Sequence, residues 1–561
     1  MRALTLLAVA ATLTCSYEPP GSCTADASCG PGTKCQSSVC LACPNGLCPF
    51  TEALPVGGDV VTVLTTPFSS NTSVTVRFPT GAAPGGTPLT LSAVGCPTSP
   101  PPPLGGGCVA AFNLDTPGVP KYAKALTVRG ASAMRPGTEL MVAELLGGVW
   151  VDRITAVAGG TTFKSLHATT DLPGVLEPGT YLVYSAGPGV VFPPADFGVA
   201  LIPDDGNGTS GLQVVTLFDD DGEPLNPPTL ANLTGLGGDL DGAALTPDGS
   251  QGVMVDGGNF IVFFSGVGSG QLVAATAKID ISPYGLDGDA IAIMPDGNEA
   301  VISADSNTLV VISGIFAGNP VIAATLPIPA EEDGLVISND GKVLLARGSG
   351  GMSVFGMASI PPTKGPIGGT LTHSYTHVVD FTNAVSSPIG EDGRDGLAVS
   401  PANSANGAVV GRMLGASSAV IQLVTGLPGS TSTPPTVHPA VPISGALDAF
   451  AVAITPDGTR AIVGTDAGLV MFTGVDSGSL VQTGPPFAPA PIGTGTSTFG
   501  TSGVPTLGIT LDGKYVAALT PSPDPVHGTL LLIPIQATDF GAPVSTLGSI
   551  AVPSNDQILL H

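Results

Sequence analysis

Basic residues are scarce in this chain. It has 17 lysines and arginines against 43 aspartates and glutamates over 561 residues, which gives a formal net charge of -26. Long-range repulsion of this size argues against nucleic acid, or any other polyanion, as a partner. Charged residues make up only 11% of the chain, and 78 glycines and 55 prolines interrupt it. Hydrophobic residues make up 43% of the chain and stand in short alternating runs, so the chain can bury a hydrophobic core. The composition therefore predicts a turn-rich, all-β protein.

Long apolar runs are also lacking. Apart from the N-terminus, no stretch reaches the length of about eighteen residues that a transmembrane helix needs. The one marked apolar segment, at 4–13, follows Arg2 and ends just before Cys15, and it resembles the signals of bacterial lipoproteins. The resemblance implies a signal peptide at 1–14, acylation of Cys15 and a lipidated tether at 15–22. We therefore expect an exported protein at the outer membrane or cell surface that contacts the membrane through its lipid anchor only, with plain secretion as the alternative.

Eight of the nine cysteines fall into two groups. Two of them, Cys96 and Cys108, flank a Pro/Gly-rich loop, and the other six lie within 23–49: Cys23, Cys29, Cys35, Cys40, Cys43 and Cys48. An exported chain oxidises paired cysteines, so we predict disulfides in both groups, which leaves Cys15 for the lipid. Segment 23–49 is too short for a hydrophobic core, and it resembles the small cysteine-rich modules behind the signals of some surface lipoproteins. A zinc site at Cys40 and Cys43 is the alternative, although no histidine lies nearby.

Segment 50–194 consists of alternating runs separated by Gly/Pro turns. Period-two alternation without helical intervals predicts a β-sandwich. The phrases VRFPTGAAPGGTPLTLSAV and GGVWVDRITAVAGG, the second with the sole tryptophan, resemble the β-sandwich module of netrin receptors, ankyrins and tight-junction scaffolds. That resemblance implies a structural or protein-binding unit rather than a catalyst.

A phrase made of an acidic residue, a small apolar run and Pro-Asp-Gly, or a close variant, recurs through the remaining chain. Its copies read DGAALTPDG at 241–249, DAIAIMPDG at 289–297, DGLVISNDG at 333–341, DGLAVSPAN at 395–403, FAVAITPDG at 450–458 and TLGITLDG at 506–513. A repeat of roughly 45 to 60 residues, with further strand-like runs after each phrase, predicts four-stranded propeller blades.

The two ends of segment 195–561 contain pieces of one more copy. IAVPSNDQILLH at the C-terminus predicts the first and second strands of a blade, and FGVALIPDD and GLQVVTLFDD predict its third and fourth. We therefore predict a seven-bladed β-propeller closed by both its termini, with six blades as the alternative; closure removes the free sheet edge. The phrase resembles the YVTN-type repeats of bacterial surface propellers, which are similar in fold to NHL and lactonase-like propellers. These include adhesion modules, binding scaffolds and a minority of enzymes.

Two sets of acids accompany the phrase. The aspartates of Pro-Asp-Gly are predicted to be turn residues, because proline fixes φ, aspartate accepts from its own backbone and glycine takes positive φ. The other set stands seven or nine positions upstream, where the first strand of each blade begins: Asp239, Asp241, Asp287, Asp289, Glu331, Asp333, Asp395 and Asp448. Carboxylates gathered at one mouth of the channel spread into water, raise their pKa values or bind a hard cation such as calcium. Strand capping, calcium binding and a catalytic metal all stay open for this set.

Catalytic motifs are missing from the sequence. It has no G-x-S-x-G, no phosphate-binding glycine loop and no H-E-x-x-H, and the His373-x3-His377 spacing suits a zinc pair only on a helix. Our first hypothesis is therefore a non-catalytic, monomeric surface lipoprotein that displays the propeller for binding an unidentified protein or glycan. The alternative is a lactonase-like, divalent-metal-dependent hydrolase that uses the acidic mouth.

Overall fold

The computed structural model of this chain is built from strands, and no helix in the part that it describes is long and apolar enough to cross a membrane. The structure describes residues 33–36, 39–42, 50–53, 62–69, 72–99, 101–103, 107–131, 139–158, 162–166, 168, 172–185, 198–204, 211–218, 224–234, 240–246, 251–256, 260–265, 267, 273–282, 288–295, 297, 299–304, 308–315, 320–328, 332–348, 351–360, 372–381, 385–386, 396–413, 418–488, 506–521, 527–551 and 558–560. Five of the cysteines lie outside these ranges: Cys15, Cys23, Cys29, Cys43 and Cys48. The structure therefore does not test the lipid attachment and the disulfides predicted for them.

The N-terminal part contains a short hairpin followed by one large antiparallel sheet. The hairpin pairs Cys35 directly with Cys40. The sheet has ten strands in the order β3-β6-β7-β12-β9-β10-β11-β8-β5-β4. The strands are β1 (Thr33–Gln36), β2 (Val39–Ala42), β3 (Phe50–Ala53), β4 (Thr62–Ser69), β5 (Thr72–Phe78), β6 (Pro88–Val94), β7 (Gly107–Asp115), β8 (Thr127–Ala131), β9 (Glu139–Leu146), β10 (Val149–Ala158), β11 (Thr162–Ser165) and β12 (Gly179–Ser185).

This sheet folds over a single core. Its end strand β4 contacts β6 near the opposite end, and alternate residues of both halves are buried together. Phe112 stacks on Tyr181 with ring centroids 5.3 Å apart. The predicted sandwich is thus one continuous sheet whose halves form the two layers. Cys96 and Cys108 form the predicted disulfide, with Cα atoms 5.9 Å apart.

Seven sheets follow, six with four strands and one with six, and they confirm the seven-bladed propeller. The blades are blade 1 with β16 (Leu240–Leu245), β17 (Gln251–Asp256), β18 (Phe260–Ser265) and β19 (Val273–Asp280); blade 2 with β20 (Gly288–Ile293), β21 (Glu299–Ala304), β22 (Thr308–Ser313) and β23 (Val321–Pro327); blade 3 with β24 (Glu332–Ile337), β25 (Val343–Gly348), β26 (Gly351–Ile360) and β27 (Thr372–Phe381); blade 4 with β28 (Val385–Ser386), β29 (Leu397–Val399), β30 (Asn406–Met413), β31 (Ala419–Thr425), β32 (Thr436–Val437) and β33 (Val441–Pro442); blade 5 with β34 (Ala449–Ile454), β35 (Arg460–Thr465), β36 (Gly468–Thr473) and β37 (Val481–Gln482); blade 6 with β38 (Thr506–Ile509), β39 (Tyr515–Pro521), β40 (His527–Pro534) and β41 (Ser545–Ala551); and blade 7 with β42 (Leu559–Leu560), β13 (Val199–Asp204), β14 (Gly211–Phe218) and β15 (Pro224–Thr234).

The two ends of the propeller segment contribute different strands to blade 7 from those predicted. The C-terminus supplies only the innermost strand, β42, which pairs with β13 through Leu559 and Leu560. FGVALIPDD and GLQVVTLFDD are the second and third strands, and 224–234 is the fourth. Ile550 and Ala551, the first residues of the IAVP run that was predicted as an inner strand, instead end β41, the fourth strand of blade 6. It follows β40 closely in the chain and pairs with it, because a short antiparallel connection is the easiest one to form.

The Pro-Asp-Gly-type turns join the first and second strands. Asp340, Asp457 and Asp512 each accept a hydrogen bond on Oδ1 from the hydroxyl two residues earlier, at 2.5 to 2.7 Å. The same oxygen accepts from the backbone N–H two residues later, at 3.0 to 3.2 Å, and the glycine after each aspartate has φ between 64° and 72°. The predicted turn role is confirmed for these three aspartates, whereas Asp248 and Asp296 lie outside the described residues.

Candidate functional site

The first strands of the blades surround the centre of the propeller. β16 contacts β20, β20 contacts β24, β24 contacts β29, β29 contacts β34, β34 contacts β38 and β38 contacts β42. Since each of these strands begins near the acids of the repeated phrase, the sequence-predicted mouth corresponds to the end of the channel where the innermost strands start.

A β-bulge recurs at this end of the innermost strands. In four blades, two residues of the first strand oppose a single residue of the second strand. The doubled residues and their partners are Asp241 and Gly242 opposite Val255, Asp289 and Ala290 opposite Ser303, Asp333 and Gly334 opposite Arg347, and Phe450 and Ala451 opposite Gly464. Bulges re-aim side chains and are frequent beside functional sites. Sequence reasoning missed the bulge, and its only signal was the small residue that follows the acid.

Blade 4 has a related arrangement at Gly396. The backbone N–H of Val410 donates to the carbonyl oxygen of Gly396 at 2.9 Å, and Leu397 pairs with Val409. Gly396 therefore takes the position in blade 4 that Gly334 has in blade 3. The strand position itself is divided, because β28 and β29 both pair with β30.

The structure describes the predicted acids to different extents. Asp241, Asp289 and Asp333 lie on first strands, where their backbone positions are described. Asp239, Asp287, Glu331 and Asp395 lie outside the described residues, which leaves Asp448 as the one predicted acid whose side-chain burial is described.

Asp448 is buried at the start of the first strand of blade 5, with 7% of its surface exposed. Its neighbour across the blade is Asp466, in the turn between β35 and β36. Asp466 Oδ1 accepts from the backbone N–H groups of Leu447 at 2.9 Å and Asp448 at 3.2 Å, and the Asp466 N–H donates to the Asp448 carbonyl at 3.2 Å. Asp466, which sequence reasoning did not single out, thus holds the start of the strand, a use of aspartate typical of tight turns.

Arg347 is the second residue at this end that sequence reasoning missed. It lies on β25 and is 1% exposed, which makes it one of the largest fully buried side chains of the described part. Its Nη1 donates to the carbonyl of Gly396 in blade 4 at 3.0 Å. A Cβ on Gly396 would lie 1.8 Å from Nη1, so the guanidinium occupies the space that a larger residue would fill. A buried cation therefore bridges blades 3 and 4.

Metal-ligating groups do not gather anywhere in the described ranges. No cluster of three or more histidine, cysteine, aspartate or glutamate residues there could hold a metal ion. His373 and His377 lie on β27, the outermost strand of blade 3, opposite Ser359 and Phe355. Four residues along a strand separate them by about 13 Å, which is too far for one ion.

A polar cluster in the N-terminal sheet serves packing. Arg153 is the extra residue of a bulge in β10, and its Nε and Nη2 donate to Glu144 Oε2 at 2.8 and 2.7 Å. Burial raises the pKa of Glu144, and the hydrogen bond and charge of Arg153 offset only part of that rise. Asp152 accepts from the Tyr184 hydroxyl at 2.8 Å, and burial raises the pKa of Asp152 despite this bond.

Solved structures with a similar fold were found, but no protein-family model and no curated protein matches this chain. A Bacteroides uniformis protein described as a 6-phosphogluconolactonase has 16% identity and a TM-score of 0.46, covering 64% of this chain and 99% of that one. A Bacteroides fragilis protein with the same description has 14% identity and a TM-score of 0.43 over 63% and 98%. A functionally unknown Desulfotomaculum acetoxidans protein has 16% identity and a TM-score of 0.44 over 65% and 98%. Similarity at this level carries no argument about function.

Proposed function

We propose that this chain is a non-catalytic, exported surface lipoprotein whose propeller binds a protein or glycan. Its parts are a lipid anchor at Cys15, a cysteine-rich module, a β-sandwich spacer and the displayed propeller. The disulfide between Cys96 and Cys108 supports an oxidising, extracytoplasmic setting. The high negative charge disfavours nucleic acid as the ligand.

The proposal rests on the hydrogen bonds of two described charged residues near the channel. Arg347 is buried and bonded to Gly396, and Asp466 is bonded to two backbone N–H groups. Catalysis needs an acid, base or nucleophile within reach of a substrate, and these groups are instead committed to holding strands and blades together. A ring of blades held together in this way can serve as a binding scaffold.

Lipid attachment is tested by growing cells that express the full chain with an alkyne-tagged fatty acid. Label should appear on the wild type and disappear in Cys15→Ser, while Cys96→Ser should keep it. If the wild type is not labelled, the protein is not a lipoprotein, and a secreted binding protein is the remaining proposal.

The absence of catalysis is tested with the purified full chain against lactones, phosphoesters and glycosides. We expect no steady turnover of any of them. The same preparation, immobilised, should retain glycans or surface proteins in an array. Sustained hydrolysis that survives repurification would overturn the proposal.

One observation favours the alternative of a divalent-metal-dependent hydrolase. The bulges repeat at Asp241, Asp289 and Asp333 in three consecutive blades, and oxygen ligands from neighbouring strands suit calcium. This alternative predicts bound metal in the wild type and its loss in Asp241→Asn with Asp289→Asn. Unchanged metal content in that double variant would remove it.

A further inference from the structure

We infer that the tip of the β9–β10 hairpin inserts into a phospholipid bilayer, as a second membrane contact beside the lipid anchor at Cys15. The tip consists of residues 146–151, around the turn of the hairpin. The inference rests on the proposed function, because the anchor is what brings a bilayer within reach of the N-terminal sheet. The partner is the interfacial layer of that bilayer.

Apolar side chains are exposed together at this tip. Leu146 is 39% exposed, Val149 63% and Val151 38%, and they are three of the eight exposed large hydrophobic residues in the described part of the chain. Val149 pairs directly with Leu146, and Val151 follows two residues later on the same strand, so the three side chains lie on one face. Single exposed hydrophobic residues are common on protein surfaces, whereas a contiguous group indicates an interaction site.

The opposite face of the hairpin holds the tip in place. Trp150 pairs with Leu145, and both pack in a buried cluster that includes Leu182 of β12. Gly147 and Gly148 have φ values of 57° and 86° and close the turn with two residues. The exposed residues therefore stand on a narrow hairpin that is packed against the sheet, and it can enter a lipid layer without unfolding.

The charge at this end of the sheet suits phospholipid. Strands β5, β7, β9 and β11 run in the same direction, so the loops that follow them leave the sheet at the end that carries the tip. The loops at 79–87, 116–126 and 147–148 contain two lysines and no acid, and the loop at 166–178 adds two acids. The four loops thus have no net charge, against -26 for the whole chain, and phosphate headgroups do not repel them.

The propeller lies away from the tip. It follows β12, whose last residue Ser185 pairs with Gly107 at the other end of the sheet. Leu166 packs against the core between blades 7 and 1, and its N–H donates to the carbonyl of Thr155. Thr155 is six residues from Val149 along β10, or about 20 Å. The tip can therefore meet a bilayer while the propeller points outward.

Trp150 is the only tryptophan of the chain, and its fluorescence tests the inference directly. The full chain is mixed with phosphatidylcholine vesicles, with and without lipid brominated in its acyl chains, which quenches tryptophan on contact. We expect brominated lipid to lower the fluorescence about twofold, because insertion of the tip brings the indole to the membrane interface. Val149→Asp should abolish the quenching, because a charge in the lipid layer is unfavourable. Val481→Asp is the matched control, at a valine of blade 5 that is 60% exposed, and should be quenched like the wild type.

The outcomes separate the hairpin from the anchor. Acylated Cys15 without quenching would overturn the inference and leave the proposed function standing, whereas quenching without acylation would keep the hairpin contact and remove the lipoprotein. Equal quenching of Val149→Asp and the wild type would also overturn the inference. So would a dimer that Val149→Asp dissociates, because the exposed face would then belong to a second copy of the chain. Val149→Ser replaces Val149→Asp if the charged variant does not fold.

Discussion

The turn at Asp340 allows the most quantitative prediction. Its carboxylate accepts four hydrogen bonds: from the Ser338 hydroxyl at 2.7 Å, the Lys342 backbone N–H at 3.2 Å, the Lys342 ammonium at 2.8 Å and the Ser404 hydroxyl at 2.8 Å. Ser404 belongs to the next blade, so the bond links blades 3 and 4. Burial alone would raise the pKa of Asp340, but these bonds outweigh it and lower the pKa from 3.8 to about 2.

The lowered pKa fixes how stability depends on pH. Because folding favours the ionised form, the contribution of Asp340 is fully present above its unfolded pKa and is lost as the pH falls toward about 2. The full difference in pKa would correspond to about 2.4 kcal/mol. The side chain is 34% exposed and screened by water, so we expect about 1 kcal/mol.

Asp340→Asn should therefore lower the free energy of unfolding by about 1 kcal/mol at pH 7 and by almost nothing near pH 2. Asp476→Asn, which removes the same charge from an exposed turn of blade 5, is the control. The assay is urea unfolding followed by fluorescence and circular dichroism across the acid range. If the two variants follow the same curve at every pH, the turn bonds do not act as the geometry implies.

Three further predictions concern other parts of the chain. Gly458→Ala should lower the free energy of unfolding by about 2–3 kcal/mol in urea unfolding, because φ is 72° and a Cβ would lie 2.8 Å from a neighbouring hydroxyl. Gly484→Ala is the control and should leave that free energy unchanged, because a Cβ there has open space. Burial raises the pKa of Asp152, so the contribution of Asp152 to stability decreases as the pH rises from 3.8 through the raised value. Asp152→Asn keeps an acceptor for the Tyr184 hydroxyl and should remove this decrease in stability with pH, measured by urea unfolding. Deleting 559–561 removes β42 and leaves β13 as the unpaired inner edge of blade 7. Limited proteolysis should therefore cut blade 7 faster in this variant than in the wild type. Equal rates would contradict closure of the ring by β42.

The blades were predictable because their signal is local. The hydroxyl, aspartate and glycine of each turn lie within four residues, and the strands on either side alternate or run apolar. The residues around Asp457 therefore predict a hairpin from the sequence alone, and the hydrogen bonds of its carboxylate confirm it. The blade count also followed from the repeat. The assignment of the IAVP run to blade 7 failed because its similarity to an inner strand could not outweigh pairing with β40, its neighbour in the chain.

The channel features were not predictable for a different reason. The bulge at Asp333 depends on how β24 registers against β25, which the sequence of either strand alone does not state. Arg347 stands in KVLLARG, where period-two alternation predicts a strand but not that its last charged side chain turns inward. Its partner, Gly396, is 49 residues away in the next blade. Such long-range pairs lack a local pattern, so only the folded structure brings them together.

The central proposal is that the propeller is a binding ring that works without a catalytic metal. The most direct measurement is elemental analysis of the purified full chain, combined with melting curves in chelator and in calcium. We predict no stoichiometric divalent ion and the same melting temperature in both solutions. A bound ion at one per chain, with a melting temperature that the chelator lowers, would contradict the claim and support the hydrolase.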